Sequence, residues 1–265
     1  MATEPDSKRS KTGDSPAYEL VYWPGLPGRG EFIRLLFEEA QVAYTDTAQD
    51  RSPDKAVELV MHHMTGDADA AGKTNPPVFA PPALVHGDNV ISQTPNIMQY
   101  LAPRLGLLPK DDEDAGWKLN QIVLTLLDGF VAELHDTHHP IAVGWTYEEQ
   151  KPEAKKRAAN FVDERLPKFL GWAQRVLDSS SSGEGPWLQC GQFTYADLVL
   201  FQCVHGTSFA FPKRMKELRT SGKYDKVFAL YEAVGQRPNI KAYMESDRRQ
   251  EYGNGIWRYY AEFEE

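Results

Sequence analysis

The chain holds 265 residues, 41% of them hydrophobic and 25% charged, with a formal net charge of −9. That length can bury one large core or two modest ones, and the composition is that of an ordinary globular enzyme. The acidic balance argues against a nucleic-acid partner, which needs clustered Lys and Arg, and the most apolar run, Ile122 to Leu127, falls far short of the roughly 20 residues a bilayer demands.

Residues 1–17 are polar, with Pro5, Gly13 and Pro16, and are expected to be a disordered tail. Lys8, Arg9 and Lys11 lie there without an apolar h-region, so the segment reads as a solvated tail rather than a secretory signal. Order begins at Tyr18, where Tyr18 to Trp23 is rich in strand formers and stops at Pro24-Gly25. Ile33, Leu36, Phe37 and Ala40 mark one face of a first helix. A second strand is expected over Val42–Thr45, and Val57, Val60, Met61 and Met64 suggest a second helix. Ala83–Val85 and Val90-Ile91 flank His86-Gly-Asp-Asn89, a hairpin signal. Thr94 before Pro95 reads as an N-cap, with Ile97, Met98 and Leu101 as the buried face of the helix that follows. Strands alternating with helices and closed by a hairpin indicate a mixed sheet.

Pro103 to Glu113, with Pro109, Asp111 and Asp112, reads as a linker. Beyond it the hydrophobic period is helical throughout. One long helix is expected over 114–135 on Leu119, Val123, Leu127, Phe130 and Leu134, and a second from Pro152 to Leu177, bent at Pro167. Ser179–Gly185 reads as a flexible loop. Thr194-Tyr-Ala-Asp197 ahead of Leu198-Val-Leu-Phe201 is a capping box, in which hydroxyl and carboxylate satisfy the unpaired N–H groups of a helix start. Two shorter helices follow, split at Arg237-Pro238. The five aromatics between Tyr252 and Phe263 are too many for water, so the tail should pack back on the body. The two cysteines, Cys190 and Cys203, sit among apolar neighbours and read as buried free thiols, with a disulfide a distant second; the expected compartment is the cytoplasm.

Three local patterns resemble the cytosolic glutathione transferase family. Glu19-Leu-Val-Tyr22-Trp-Pro followed by Gly28-Arg29-Gly-Glu31-Phe-Ile-Arg34-Leu is similar to the tyrosine-bearing first strand and first helix of the alpha, mu, pi and sigma classes. Pro81-Pro82-Ala83-Leu84, with Gln93-Thr94 downstream, resembles the family's cis-proline turn and its Gln-Ser/Thr pair. Gly191-Gln-Phe-Thr194-Tyr-Ala-Asp197 resembles its capping-box motif, which gives Thr194 and Asp197 structural roles. Each pattern alone is weak; together they span about residues 18 to 245 in the family's order. The resemblance implies a thioredoxin-like α+β domain with a mixed four-stranded sheet over 18–103, a linker over 104–113 and an all-α domain over 114–265.

The resemblance also implies a reaction: conjugation of the glutathione thiolate to small apolar electrophiles by a homodimer, with glutathione as co-substrate and no permanently bound cofactor. Tyr22 would donate to the sulfur. Gln93 and Thr94 would meet the γ-glutamyl carboxylate at a helix N-terminus, a ready anion site. Pro81, Pro82 and Ala83 would border the cysteinyl part, Asp128 would reach the γ-glutamyl amine across the interface, and Arg29 would pair with a ligand carboxylate or across the interface. Without the resemblance, Tyr22 is a half-buried strand aromatic, and Asp128 and Arg29 are surface charges. Pro81 departs from the pattern, because it has no N–H to offer glutathione.

A thiol-disulfide reductase would need a cysteine where the first helix begins, and residues 22–31 contain neither Cys nor Ser. A non-catalytic member that binds glutathione or another ligand remains the alternative. His135, His138 and His139 have spacing that could bind a transition metal. With no Cys or clear Glu partner nearby, no metal is assigned, and capping or polar lining of the electrophile pocket is the preferred role. Trp145, Tyr147, Phe209 and Phe211 could line that pocket or be core.

Overall fold

Side chains alternate across a strand, and that alternation sets the two faces of the sheet. In the computed structural model, which describes residues 18–264, β1 (Tyr18–Val21) turns Leu20 towards one hydrophobic cluster and Val21 towards another. The tail at 1–17, with its basic triplet, lies outside the described residues. β1 pairs in parallel with β2 (Tyr44–Asp46) and antiparallel with β3 (Ala83–His86), which forms a hairpin with β4 (Asn89–Ser92). The sheet order is β2-β1-β3-β4, the mixed four-stranded arrangement expected.

On the Leu20 face lie α1 (Gly30–Ala40), buried through Phe32, Ile33, Leu36 and Phe37, and α4 (Thr94–Leu101), buried through Ile97, Met98 and Leu101. On the Val21 face lies α3 (Pro53–Thr65), reached from β2 through the short α2 (Thr47–Asp50). Here the expected face needs correction, since Val57 and Met61 are exposed. Val60 joins the small cluster with Val21, Val78 and Ala83, and Leu59 and Met64 pack against it half-buried, so of the expected face Val60 and Met64 face the sheet while Val57 and Met61 do not. A second correction concerns Thr94. Gln93 adopts a left-handed φ of 69°, so the strand ends there and Thr94 is already the first helical residue rather than the cap.

The helical half starts at α5 (Ala115–Leu124), passes through a π turn (Thr125–Val131) and ends in α6 (Ala132–His135). All five core positions expected along it are buried. α7 (Lys151–Asn160) likewise runs through a π turn (Phe161–Arg165) into α8 (Leu166–Asp178), so the wider turn, not a break, precedes the Pro167 that cannot donate. α9 (Tyr195–Ala210) is apolar on every side because helices surround it. Its capping box is formed: Thr194 N donates to Asp197 Oδ2 at 2.7 Å, and Leu188 N to Oδ1 at 2.9 Å.

Three helices follow α9 rather than two: α10 (Pro212–Thr220), α11 (Asp225–Gly235) and α12 (Pro238–Met244). α10 is legible only in hindsight, because Met215 and Leu218 are its whole buried face. The aromatic tail does fold back, with Trp257 fully buried against Gly206 of α9. Both cysteines are free, but only Cys203 is buried; Cys190 is exposed, in a turn at φ 54° with its Sγ 3.7 Å from Asp112 Oδ2. Among the described residues, no helix is long and apolar enough to cross a membrane.

Candidate functional site

Tyr22 stands one residue past β1, and its position is fixed from three directions. Thr47 at the start of α2, itself fully buried, receives the Tyr22 N–H at 3.1 Å and donates its hydroxyl to the Tyr22 carbonyl at 3.3 Å. The phenol oxygen accepts the Arg29 backbone N–H at 2.8 Å, just where α1 begins. Gly28 and Gly30 frame the ring: a Cβ at Gly30 would lie 2.7 Å from Tyr22 Cδ1, and one at Gly28, where φ is +46°, would overlap the hydroxyl. Burial raises the Tyr22 pKa, while N–H donation from Arg29 and Gly30 and the guanidinium charges of Arg34 and Arg29 oppose it. The phenol therefore keeps its proton at neutral pH. With its oxygen already accepting, that proton is what it has to offer.

The loop under Tyr22 is held by a buried charge network of Arg34, Asp46 and Glu31. Arg34, fully buried, donates from Nε to Asp46 Oδ2 at 2.6 Å and from Nη1 to the Pro27 carbonyl at 3.2 Å. Glu31 lies 3.4 Å from Arg34 and accepts the Tyr243 hydroxyl from α12 at 3.1 Å. Burial raises the Glu31 pKa against the pull of Arg34 and Arg249, while Asp46 and Glu31 outweigh burial and raise that of Arg34. The signal available in the sequence was the i, i+3 spacing of Glu31 and Arg34 on one helix.

Register brings the other expected residues to the same end of the sheet. Val21 pairs with Ala83, and Ala83 with Ser92, so Tyr22, Pro82 and Gln93 each stand one residue beyond one row of three neighbouring strands. The Pro81–Pro82 bond is cis, at the position expected. Gln93 is exposed, whereas Thr94 is buried and its Oγ1 has no hydrogen-bond partner. Asp128 is exposed on the first π turn and does not border the cavity described next. Arg29 does border it, and its Nη2 donates to the Leu127 carbonyl at 3.2 Å, tying the sheet half to the helical half.

A cavity of about 510 Å³ opens beside the Tyr22 hydroxyl. Its walls come from three stretches of chain: Tyr22 to Arg29, Val131 to Val143, and Asn254 to Arg258 of the tail. Leu26, Val131, Val143 and Ile256 supply apolar surface, and Arg29, His135, His139 and Arg258 supply polar groups. Trp145, Tyr147, Phe209 and Phe211 are absent from it; Tyr147 instead stacks on Tyr260 with ring centroids 3.9 Å apart. The part played by Gly255, Ile256 and Arg258 was not legible, because the tail gave only an aromatic count.

The three histidines of the second stretch converge. One ring nitrogen from each of His135, His138 and His139 lies within 4.8 Å of the other two. His138 Nε2 is 3.0 Å from the Ile256 carbonyl, and its Nδ1 is 2.5 Å from His139 Nδ1. Burial lowers the pKa of His135 to about 4 and of His138 to about 3, and lowers that of His139, with Arg258 adding to each. All three are neutral at pH 7.

Comparison with known proteins bears on the architecture. Residues 135–247 match the family model described as "Glutathione S-transferase, C-terminal domain". The chain is 22% identical to "Glutathione S-transferase" of Plasmodium falciparum over 88% of its own length and 98% of that protein's. It is 26% identical to "Glutathione S-transferase P" of Caenorhabditis elegans, over 85% of this chain and 91% of that one. Its structure superposes on that of rat hPGDS complexed with a quinoline with a TM-score of 0.66 at 20% identity, covering 90% of this chain and all (100%) of the other. The fold is that of the glutathione transferases. The family resemblance read from the three motifs therefore holds in sequence and in architecture, and the helical half carries the match to the family's C-terminal domain.

Proposed function

We propose that the chain is a glutathione transferase that joins the glutathione thiolate to small apolar electrophiles, with Tyr22 stabilising the sulfur. The observation that carries this reading is the Tyr22 hydroxyl: protonated, held by the start of α1, and bordering a cavity between the sheet and the helices. Such a phenol acts as a donor to a developing thiolate, not as a base. Thr94 supports the reading, since its unpartnered buried hydroxyl at the start of α4 suits the γ-glutamyl carboxylate. Pro81 keeps its carbonyl for the cysteinyl part even without an N–H. The relatives' names point to the same co-substrate, glutathione.

Magnitudes assign most of the acceleration elsewhere. With a thiol pKa near 8.5, about 7% of free glutathione is thiolate at pH 7.4, so complete ionisation gains little more than tenfold. Nucleophilicity also falls with pKa at a slope of about 0.4–0.5, which erodes that gain. Holding sulfur and electrophile together in a water-poor cavity has to supply the rest. Leu26, Val131, Val143 and Ile256 provide the wall for an apolar acceptor.

A homodimer in the cytoplasm completes the proposal. Phe79 and Trp117 are 88% and 71% exposed, which is costly for aromatics in water and suits a contact with a second copy that could also present Asp128 to its ligand. The test is Tyr22→Phe. Loss of a hydrogen bond to a charged group costs about 1.5–3 kcal/mol, so turnover with a standard electrophile should fall about tenfold to a hundredfold while retention on immobilised glutathione persists. Turnover within twofold of the parent would remove Tyr22 from the mechanism, and retention without any conjugation by the parent would favour the non-catalytic alternative.

A further inference from the structure

The histidine triplet is more ordered than a polar lining requires. Its residues sit at i, i+3 and i+4, and the chain folds so that all three rings meet: His135 stacks on His139 at 5.2 Å with planes 10° apart, and His138 meets both rings edge-on. Two Nδ1 atoms at 2.5 Å cannot face each other as bare lone pairs, so a proton or a cation lies between them. Which nitrogen is free follows from the surroundings. The Ile256 carbonyl can only accept, so neutral His138 carries its proton on Nε2 and directs the Nδ1 lone pair at His139. A backbone carbonyl that orients an imidazole in this way is the usual outer support of a metal-ligating histidine.

From this geometry we infer that His135, His138 and His139 form a binding site for a divalent transition-metal ion, with an open coordination position facing the cavity beside Tyr22. Ligands at about 2.0–2.1 Å from a tetrahedral Zn²⁺ stand about 3.4 Å apart. The separations within the triplet, 2.5 Å between the Nδ1 atoms of His138 and His139 and none above 4.8 Å, bracket that value. Three protein ligands and one vacant position is the pattern of a catalytic zinc site rather than a structural one. Imidazole nitrogen selects Zn²⁺, Cu²⁺, Ni²⁺ or Co²⁺ over Mg²⁺ or Ca²⁺.

His139 moves its proton from Nδ1 to Nε2 on binding, which breaks the short contact with His138 and leaves the proton count unchanged. Charge sets the character of the fourth ligand. His135 and His139 border the same cavity as Arg258 and Arg29, whose guanidinium groups oppose a bare dication. Asp136 also borders the cavity, and Arg157, 3.7 Å from its carboxylate, offsets part of its charge. The vacant position thus favours an anion, such as hydroxide, a carboxylate or a thiolate, which those two arginines also attract. Nothing in this assignment depends on glutathione.

The test uses the untagged full chain, stripped with a chelator and titrated with Co²⁺ at pH 7.5. One equivalent per chain should bind tightly, with the visible ligand-field bands of a four- or five-coordinate ion, and Zn²⁺ should displace it and raise the melting temperature. His139→Asn and His135→Asn, each checked for an unchanged circular dichroism spectrum and melting temperature without metal, should each weaken Co²⁺ by at least about 100-fold, beyond what loss of an outer-shell partner costs. His63→Asn, at a histidine on α3, should leave binding unchanged. Absence of the bands in the folded parent chain, or binding that survives both triplet variants, would overturn the assignment.

Discussion

Replacing Asp46 by Ala removes the principal partner of a fully buried arginine. Arg34 loses the contacts of 2.6 Å and 3.4 Å to the two carboxylate oxygens and keeps only Glu31, at 3.4 Å, and the Pro27 carbonyl. Breaking a buried ion pair costs about 3–5 kcal/mol, and the surviving Glu31 places this case near the lower figure. Asp46 also caps α2, its Oδ1 accepting the Ala48 N–H at 3.0 Å, and loss of such a cap adds about 1 kcal/mol. The sum of about 4 kcal/mol approaches the whole stability of a marginal domain, about 5–15 kcal/mol. Urea unfolding of parent and variant at pH 7 measures it from the shift in midpoint at constant m-value. Asp46→Asn retains the cap and one acceptor and should cost clearly less, while Arg34→Met combined with Asp46→Ala should recover part of the loss because no charge is left stranded. A cost below about 1 kcal/mol for Asp46→Ala would refute the claim that this network anchors the loop beneath Tyr22.

Gly30→Ala separates helix stability from site geometry. Alanine favours a helix by up to about 1 kcal/mol, but its Cβ would meet the Tyr22 ring at 2.7 Å. Net stability should therefore change by less than about 2 kcal/mol while turnover falls at least as far as in Tyr22→Phe; unchanged turnover would mean the ring position does not matter. His205 supplies a pH test. Burial, assisted by Arg249, lowers its pKa from 6.5 to about 4, and its Nδ1 lies 2.8 Å from the Tyr252 hydroxyl. The unfolded chain takes up the proton first, so this stability is present above pH 6.5 and is lost as pH falls towards 4, about 3 kcal/mol in all. Asp197, raised by burial from 3.8 to about 6, acts with the opposite sign over most of that window. The difference between parent and His205→Gln isolates the histidine, and identical acid limbs in the two proteins would refute its role.

The sheet was legible because its signals are local. Alternation at Leu20 and Val21, the His86–Asn89 turn and the Pro81-Pro82 pair each depend on a few adjacent residues. α9 was legible through its capping box. What escaped depends on distance along the chain. Val57 and Met61 are apolar but lie outside the face of Leu59, Val60 and Met64 that meets the sheet, and nothing in the local pattern says how wide a face the sheet will cover. Cys190 has Leu188 for a neighbour, yet a left-handed turn places it outside. Of the candidate site, Tyr22 and the sheet-end row were found through the family motifs. The Arg34 network and the wall from Gly255 to Arg258 were not, because their partners lie from 12 to more than 200 residues away in sequence.

The three walls of the cavity beside Tyr22 are drawn from near residue 25, near residue 135 and near residue 256. During synthesis the first two can meet while the third is still unmade or inside the ribosome. The chamber is complete only with the stretch from Asn254 to Arg258 in place, which ties a ligand's grip to the docking of Trp257.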